Sequence, residues 1–244
     1  MIWDIMGKNK EKCPRLAFMC SGNGSNAKAI VNACERGTLA ANPVLLVSNR
    51  VSAKALEWGE KYGLATVIAK NETEQLNILR KYEVNWIILS GYLSLIGESI
   101  IDAYEKRIVN IHPSLLPRHG GKGMYGIRVH ESVIASGDTI TGATVHMVSN
   151  EIDQGKILGQ STIEVYESDT PESLAERVLH EEHKLFPKVL SSILLTLPMK
   201  TCLKCRETKP FSDYGKNRSK KDGLQTYCKE CNREYYYYGH FLSH

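Results

Sequence analysis

The chain has 244 residues, of which 42% are hydrophobic and 24% charged, a balance that excludes disordered and fibrous proteins and fits one α/β domain of about 100–200 residues plus a small appendage. No apolar run approaches the roughly 20 residues that cross a bilayer, and Met1-Ile2-Trp3-Asp4-Ile5-Met6-Gly7-Lys8 lacks a signal peptide's apolar centre, so a cytoplasmic protein without membrane contact is expected. The net charge of +4 is uneven: from Lys200 onward ten Lys/Arg face five Asp/Glu, whereas residues 1–199 carry 21 against 22, so the basic character belongs to the tail.

Short apolar, β-branched runs alternate with helical periodicity, the pattern of a mostly parallel twisted sheet with helices on both faces. Strands are predicted at Leu16–Cys20, Pro43–Ser48, Ala65–Ile68, Trp86–Ser90 and Arg107–Ile111, followed by a pair at Thr141–Val148 and Lys156–Val165. Helices are predicted to begin near Asn26, Ser52, Glu72 and Leu95, with another over 126–136. A last long helix starts at Asp169-Thr170-Pro171-Glu172, where Thr170 can cap the end and Pro171 suits the first helical position, and runs to about Leu194. Leu197-Pro198-Met199 breaks that pattern, and the sequence beyond is rich in Lys, Tyr and Cys. The division that follows is an N-terminal extension at 1–14, an α/β domain at 15–196 and a module at 197–244.

Ser21-Gly22-Asn23-Gly24-Ser25-Asn26 follows the first strand and opens the first helix. Its backbone N–H groups would converge on an anion, for which a phosphate fits, with Ser25 and Asn26 adding side-chain hydrogen bonds or capping the helix. A tight strand-to-helix turn with a capping Asn is the plain alternative. The spacing is neither that of a P-loop nor that of a dinucleotide fingerprint.

Asn110-Ile111-His112-Pro113-Ser114-Leu115-Leu116-Pro117 ends the fifth predicted strand, where open α/β sheets place their active sites. Strand alternation puts Asn110 and His112 on one side, so an amide and an imidazole can point together at a reacting carbonyl. Asp153, in the loop joining the last two strands, offers a carboxylate that would favour the charged form of His112 and relay a proton. Such a set suits acyl transfer to an amine, whose tetrahedral intermediate needs donors at its oxygen. A lone His here can also be a satisfied capping or core residue.

Three strings in this order, Ser-Gly-Asn-Gly-Ser-Asn, Asn-Ile-His-Pro-Ser-Leu-Leu-Pro and Ile-Asp-Gln-Gly-Lys-Ile-Leu, resemble those of the glycinamide ribonucleotide formyltransferases, a branch of the folate-dependent formyltransferases. The resemblance covers about residues 15–193. It implies a Rossmann-like fold, 10-formyltetrahydrofolate as co-substrate and glycinamide ribonucleotide as acceptor in purine synthesis. It implies catalytic roles for Asn110, His112 and Asp153, and phosphate and ribose contacts from Gly24, Ser25, Asn26 and Glu182. Folate would lie against Leu93, Ser94, Leu95 and Ile96 and the loop around Val148–Asp153. Without the resemblance, Glu182 would read as part of a solvated helix face and 93–96 as core packing. The glycine-rich loop Arg118–Gly126 is longer than in some relatives and would cover the substrate. Leu179 stands where some relatives carry a basic residue, which Lys70, His119 or Lys122 could replace. Formyl transfer to a nucleotide-linked amino sugar or an aminoacyl-tRNA is the alternative within the wider family.

Cys202-Leu-Lys-Cys205 and Cys228-Lys-Glu-Cys231 are two CxxC pairs separated by 22 residues, close to the spacing of a four-cysteine structural zinc site. A segment of this length scarcely buries a core without a metal, and a cytosolic disulfide would be unusual. The tail resembles zinc modules attached to phage HNH-type endonucleases, without a catalytic HNH set. Its basic residues and Tyr227, Tyr235, Tyr236, Tyr237 and Tyr238 could contact nucleic acid, or form a solvated surface with a protein-binding patch. A nucleic-acid-binding protein carrying a retired enzyme domain is therefore the reading from a different class.

Overall fold

A computed structural model describes residues 13–194, 199–210, 213–217, 219–220 and 223–233. Tyr235 to Tyr238, the Leu197-Pro198 break and the first twelve residues lie outside this set. Contacts along the chain divide it into two compact units, 1–194 and 195–244.

The first unit is built on a seven-stranded sheet. Its strands are β1 (Arg15–Met19), β2 (Asn42–Ser48), β3 (Ala65–Ile68), β4 (Trp86–Leu89), β5 (Ile108–His112), β6 (Ile140–Met147) and β7 (Ile157–Glu164), in the order β3-β2-β1-β4-β5-β6-β7. The first five run parallel, β6 runs antiparallel to β5, and β7 runs antiparallel to β6. The helices are α1 (Ser25–Glu35), α2 (Ala55–Lys61), α3 (Glu72–Lys81), α4 (Glu98–Ala103), α5 (Ile127–Ala135) and α6 (Pro171–Leu194). Two starts differ from the periodicity: α2 begins three residues after Ser52, and α4 three residues after Leu95. Gly97, in extended conformation, caps α4, so Leu95 and Ile96 belong to the preceding loop. Among the described helices none is long and apolar enough to cross a membrane.

Strand alternation sorts the core into two layers. Ala17, Met19, Leu45, Val47, Ile87, Leu89 and Ile108 share one cluster with Leu79 of α3 and Ile100 of α4. On the opposite face Leu46 meets Gly59 of α2, and α6 lies against β6, β7, α1 and α5. Helix α6 opens on reciprocal bonds, Ser173 N–H to Thr170 Oγ1 at 3.2 Å and Thr170 N–H to Ser173 Oγ at 3.0 Å, with Pro171 as its first residue. Pro187 sits inside it. A proline there costs about 3 kcal/mol, but Leu174, Val178, Leu185, Phe186, Val189, Leu190 and Leu194 are all buried. At about 1.5–3 kcal/mol for each large apolar side chain, docking of this face outweighs the missing backbone bond.

The order β1-β4-β5 has the consequence that matters for function. The chain leaves all three strands at the same edge of the sheet, so the loops 20–25, 90–97 and 113–126 become neighbours.

The second unit, among its described residues, contains two short hairpins: β8 (Met199–Thr201) with β9 (Thr208–Pro210), and β10 (Tyr214–Lys216) with β11 (Leu224–Cys228). Its buried side chains are Cys202, Tyr214, Cys228 and Cys231, with Cys205 and Leu224 partly buried around them. That is too little apolar surface to hold such a segment together unaided.

Candidate active site

Strand β5 pairs antiparallel with β6 so that Asn110 faces His146 and His112 faces Thr144. The first pairing creates a contact that the sequence reading did not include: the Asn110 amide Nδ2 lies 3.1 Å from His146 Nε2. His146 Nδ1 is 2.9 Å from the carbonyl of Met147. A carbonyl only accepts, so Nδ1 carries the proton there. Burial pushes the His146 pKa down, against the Met147 carbonyl and the Asp153 charge, so the ring is neutral and Nε2 is an acceptor. The Asn110 amide must then present Nδ2 to it, which fixes the amide's orientation. His146 is 2% exposed and so has no competing water to satisfy it.

His112, at the end of β5, is also buried. Its Nε2 donates to the carbonyl of His119 at 2.8 Å, and its Nδ1 lies 3.5 Å from Asp153 Oδ2. The other Asp153 oxygen is 3.6 Å from His146 Nε2. Asp153 Oδ2 accepts the backbone N–H of Gly121 at 2.9 Å. Thus the expected trio Asn110, His112 and Asp153 does converge, with His146 as its fourth member. Asp153 adopts a left-handed φ of 57° in the β6–β7 loop. Gly155 makes that loop possible, because a Cβ there would lie 1.7 Å from the Met147 carbonyl oxygen. His130 of α5 is held neutral, its pKa lowered to about 4 by burial first and then by neighbouring His112.

The glycine-rich loop after β5 is pinned at its start. Ser114 Oγ donates to the Arg118 carbonyl at 2.7 Å, Leu116 N–H donates to Thr144 Oγ1 at 3.0 Å, and the Leu116–Pro117 peptide is cis. Arg118 pairs with Asp138. His119 meets Ser132 Oγ through Nδ1 at 2.9 Å and Asp138 Oδ2 through Nε2 at 2.8 Å. His119 is therefore already engaged by Ser132 and Asp138 within this loop.

At the other end of the site, the residue preceding α1 is Gly24, with φ 63°, and no side chain caps the helix. This corrects the expected capping by Ser25 or Asn26, because Asn26 is turned elsewhere. Its Nδ2 donates to Glu182 Oε2 of α6 at 2.7 Å. Glu182 is 6% exposed, not on a solvated face. Burial pushes its pKa up to about 7, with the Asn26 hydrogen bond opposing the rise. The Asn26 Oδ1 is buried without a partner, a polar atom poised for a ligand donor. Between the two ends lies the expected folate segment. Ser21 N–H donates to the Gly91 carbonyl at 3.1 Å, and Leu93 N–H donates to Ser21 Oγ at 2.9 Å, tying this segment to the first loop. Ser94 Oγ accepts Asn49 Nδ2 at 2.7 Å. Leu93, Leu95 and Ile152 are exposed and Ile96 is half-buried, so the first three are not core packing but an apolar surface beside the site.

Comparison with known proteins decides the family, since the model described as formyl transferase matches residues 14–190. The chain belongs to the formyl transferase family. It is 44% identical over 204 residues, 79% of this chain and 70% of the relative, to a chloroplastic phosphoribosylglycinamide formyltransferase of Arabidopsis thaliana. Identity to the phosphoribosylglycinamide formyltransferase of Bacillus subtilis is 35%, over 74% of this chain and 94% of that one. A crystal structure of glycinamide ribonucleotide transformylase 1 from Geobacillus kaustophilus superposes with a TM-score of 0.69 at 37% identity, covering 75% of this chain and 99% of that chain. The tail lies outside the family match.

In the second unit the sulfur atoms of Cys202, Cys205, Cys228 and Cys231 all lie within 4.8 Å of one another. Burial raises the Cys202 thiol pKa, but N–H groups directed at its sulfur, including that of Cys228 at 3.3 Å, bring it down to about 6. Burial raises the thiol pKa values of Cys205 and Cys231, so Cys202 is the one favoured as thiolate; four sulfurs this close suit zinc, which binds four at about 2.3 Å in a closed tetrahedral set.

Two outcomes follow from the buried groups. Replacing His146 by Phe keeps the packing but removes the acceptor that orients Asn110; formyl transfer should lose about ten- to a hundredfold in kcat with little change in KM, and steady-state kinetics showing wild-type kcat would contradict it. For Glu182, the folded pKa of about 7 lies above the usual 4.5. The folded state thus keeps a proton that the unfolded chain has lost, and its contribution to stability, full below about pH 4.5, is lost as pH rises through about 7. Glu182→Gln should remove this fall and leave the first unit about 1–3 kcal/mol more stable than wild type at pH 8. Parallel pH slopes of the two proteins in denaturant titrations would refute it.

Proposed function

We propose that residues 15–196 transfer the formyl group of 10-formyltetrahydrofolate to the primary amine of glycinamide ribonucleotide, a step of purine synthesis. The observation that carries this reading is the meeting, at one sheet edge, of an anion-facing loop with a buried Asn26–Glu182 pair at one end and the Asn110, His112, Asp153 set at the other. Relatives bearing the name of that activity align with 79% and 74% of the chain. Backbone groups of Gly24, Ser25 and Asn26 would take the phosphate, and Glu182 the ribose hydroxyls. The exposed Leu93, Leu95 and Ile152 with Ser94 and Ile96 would receive the folate. Of the basic residues weighed for the phosphate, Lys70 and Lys122 remain as candidates.

The chemistry is derived from the same groups. The amine nitrogen attacks the formyl carbon, and the carbonyl electron pair moves onto oxygen. The Asn110 amide, one hydrogen held by His146, has a second to give that oxyanion. His112 is the second donor, but its Nε2 is bonded to the His119 carbonyl. It becomes available when the loop carrying His119 yields, so loop movement and donor release are one event. Collapse of the intermediate breaks the bond to N10 of the folate, and the proton lost by the amine passes by way of His112 and Asp153 to that nitrogen. The products are the formamide and tetrahydrofolate.

The tail reads as a separate module at 197–244 holding a structural zinc ion on its four cysteines, which supplies the cross-link that its small buried cluster cannot. Contact with nucleic acid or protein through its basic residues is supported by charge alone, and Lys209 is already paired with Glu207 and Glu230. Four cysteines committed to a metal suit a reducing compartment such as the cytosol.

The activity is tested by mixing protein with both substrates and following folate absorbance. Turnover is expected, with a loss of about 10²–10⁴ in kcat for His112→Ala and for Asp153→Asn; absence of turnover, or full activity in His112→Ala, would reject the proposal. For the tail, metal analysis of the full chain should find about one zinc per molecule. Stripping it with a chelator should expose the four thiols to titration while formyl transfer continues; thiols that react fully before chelation would exclude the site.

A further inference from the structure

The loop that would face the phosphate has two carbonyl groups drawn backward by the neighbouring helix α2 and a third by α1 itself. The Gly22 carbonyl accepts the N–H of Ala55 at 3.0 Å, the Asn23 carbonyl accepts the indole Nε1–H of Trp58 at 2.8 Å, and the Gly24 carbonyl accepts Lys28 N–H at 2.9 Å. Three successive carbonyls are thereby occupied. Among the described residues the N–H groups of Gly22 to Asn26 have no protein acceptor, while Ala27 N–H already donates to Ser90 Oγ at 3.0 Å. Peptide planes are rigid, so fixing a carbonyl on one side fixes the following N–H on the other. The bond to Asn23 therefore sets the direction of the Gly24 N–H.

The contact is close as well as directional. A Cβ on Gly24 would stand 2.9 Å from Ala55 Cβ, 3.1 Å from Cys20 Sγ and 3.3 Å from Trp58 Cζ2. The φ of 63° at Gly24 and this crowding both require glycine there. Trp58 is held in turn by Tyr62, whose ring meets it edge-on at 5.9 Å between centroids with an interplanar angle of 89°. Lys28 Nζ lies 5.8 Å from the Tyr62 centroid, closing the brace back onto α1. Nothing in the acyl-transfer chemistry uses these groups.

We propose that Trp58 is a positioning residue for the acceptor's phosphate, holding the Asn23 carbonyl away from the anion so that the loop's N–H groups face it. The inference rests on the proposed phosphate site and adds the element that orders it. A misdirected peptide would present a carbonyl oxygen to a phosphate oxygen, so the loss should fall on phosphate binding and not on chemistry at the distant formyl carbon.

The test is Trp58→Phe in the full chain, assayed with glycinamide ribonucleotide and with the same acceptor lacking its phosphate. KM for the phosphorylated acceptor should rise about three- to tenfold, the worth of one hydrogen bond. The values of kcat and of KM for the folate should stay within about twofold, again well below that hydrogen-bond effect. With the dephosphorylated acceptor, the variant and wild type should have the same kcat/KM. Trp58→His, which keeps a ring N–H, is expected to fall between the two and carries the comparison if Phe does not fold. An unchanged KM for the phosphorylated acceptor, or an equal loss with both acceptors, overturns the role. Wild-type protein that formylates neither acceptor would instead remove the proposed activity itself.

Discussion

The Asp153 carboxylate is where the site's geometry is settled. It is nearly buried, sits in a left-handed residue, and has His112 on one oxygen, His146 near the other, and a backbone N–H from the glycine-rich loop. A buried carboxylate must find polar partners, and here two separate segments supply them: the end of β5 through His112 and the glycine-rich loop through the Gly121 N–H. Any movement of Asp153 alters both imidazoles, and through His146 the orientation of the Asn110 amide. The Asn110 amide is thus ordered before a substrate arrives, which is the condition under which electrostatic stabilisation of an oxyanion is large.

A similar logic joins the first helix to the last. Asn26 and Glu182 are 156 residues apart in sequence and bonded at 2.7 Å in a dry interface. The pair is only half satisfied, because Asn26 Oδ1 lacks a partner and Glu182 is pushed towards its neutral form. Such an arrangement costs stability and leaves a polar atom that a ligand hydroxyl could satisfy.

Much of this was legible in the sequence, for identifiable reasons. Strand positions followed from runs such as Trp86–Leu89, and the place of Asn110 and His112 from alternation at a strand end. Carboxylate and histidine could be paired because the β6–β7 loop must return to the strand that follows β5. His146 was missed because its role depends on the register of an antiparallel pairing, and a one-residue slip would have faced it away. Glu182 was readable only through family resemblance: its neighbours Glu181 and His183 are polar, and the burial of position 182 is decided by the docking of α6. The starts of α2 and α4 slipped by three residues because Ser52 and Leu95 fit helical periodicity, while the chain stays in loops until Lys54 and Gly97.

The two units answer the problem of size in opposite ways. The first buries two apolar layers around its sheet and can tolerate a proline within its longest helix and a half-satisfied carboxyl at its site. Among the described residues of the second, the central side chains are the cysteines themselves, with Tyr214 donating to the Lys200 carbonyl at 2.7 Å. A metal held by such a cluster would do the work of a core and leave the sequence free to be basic and aromatic elsewhere. The charge asymmetry along the chain reflects that division: the unit that folds by apolar burial is close to neutral, whereas the one organised around four thiols can devote its surface to lysine and arginine.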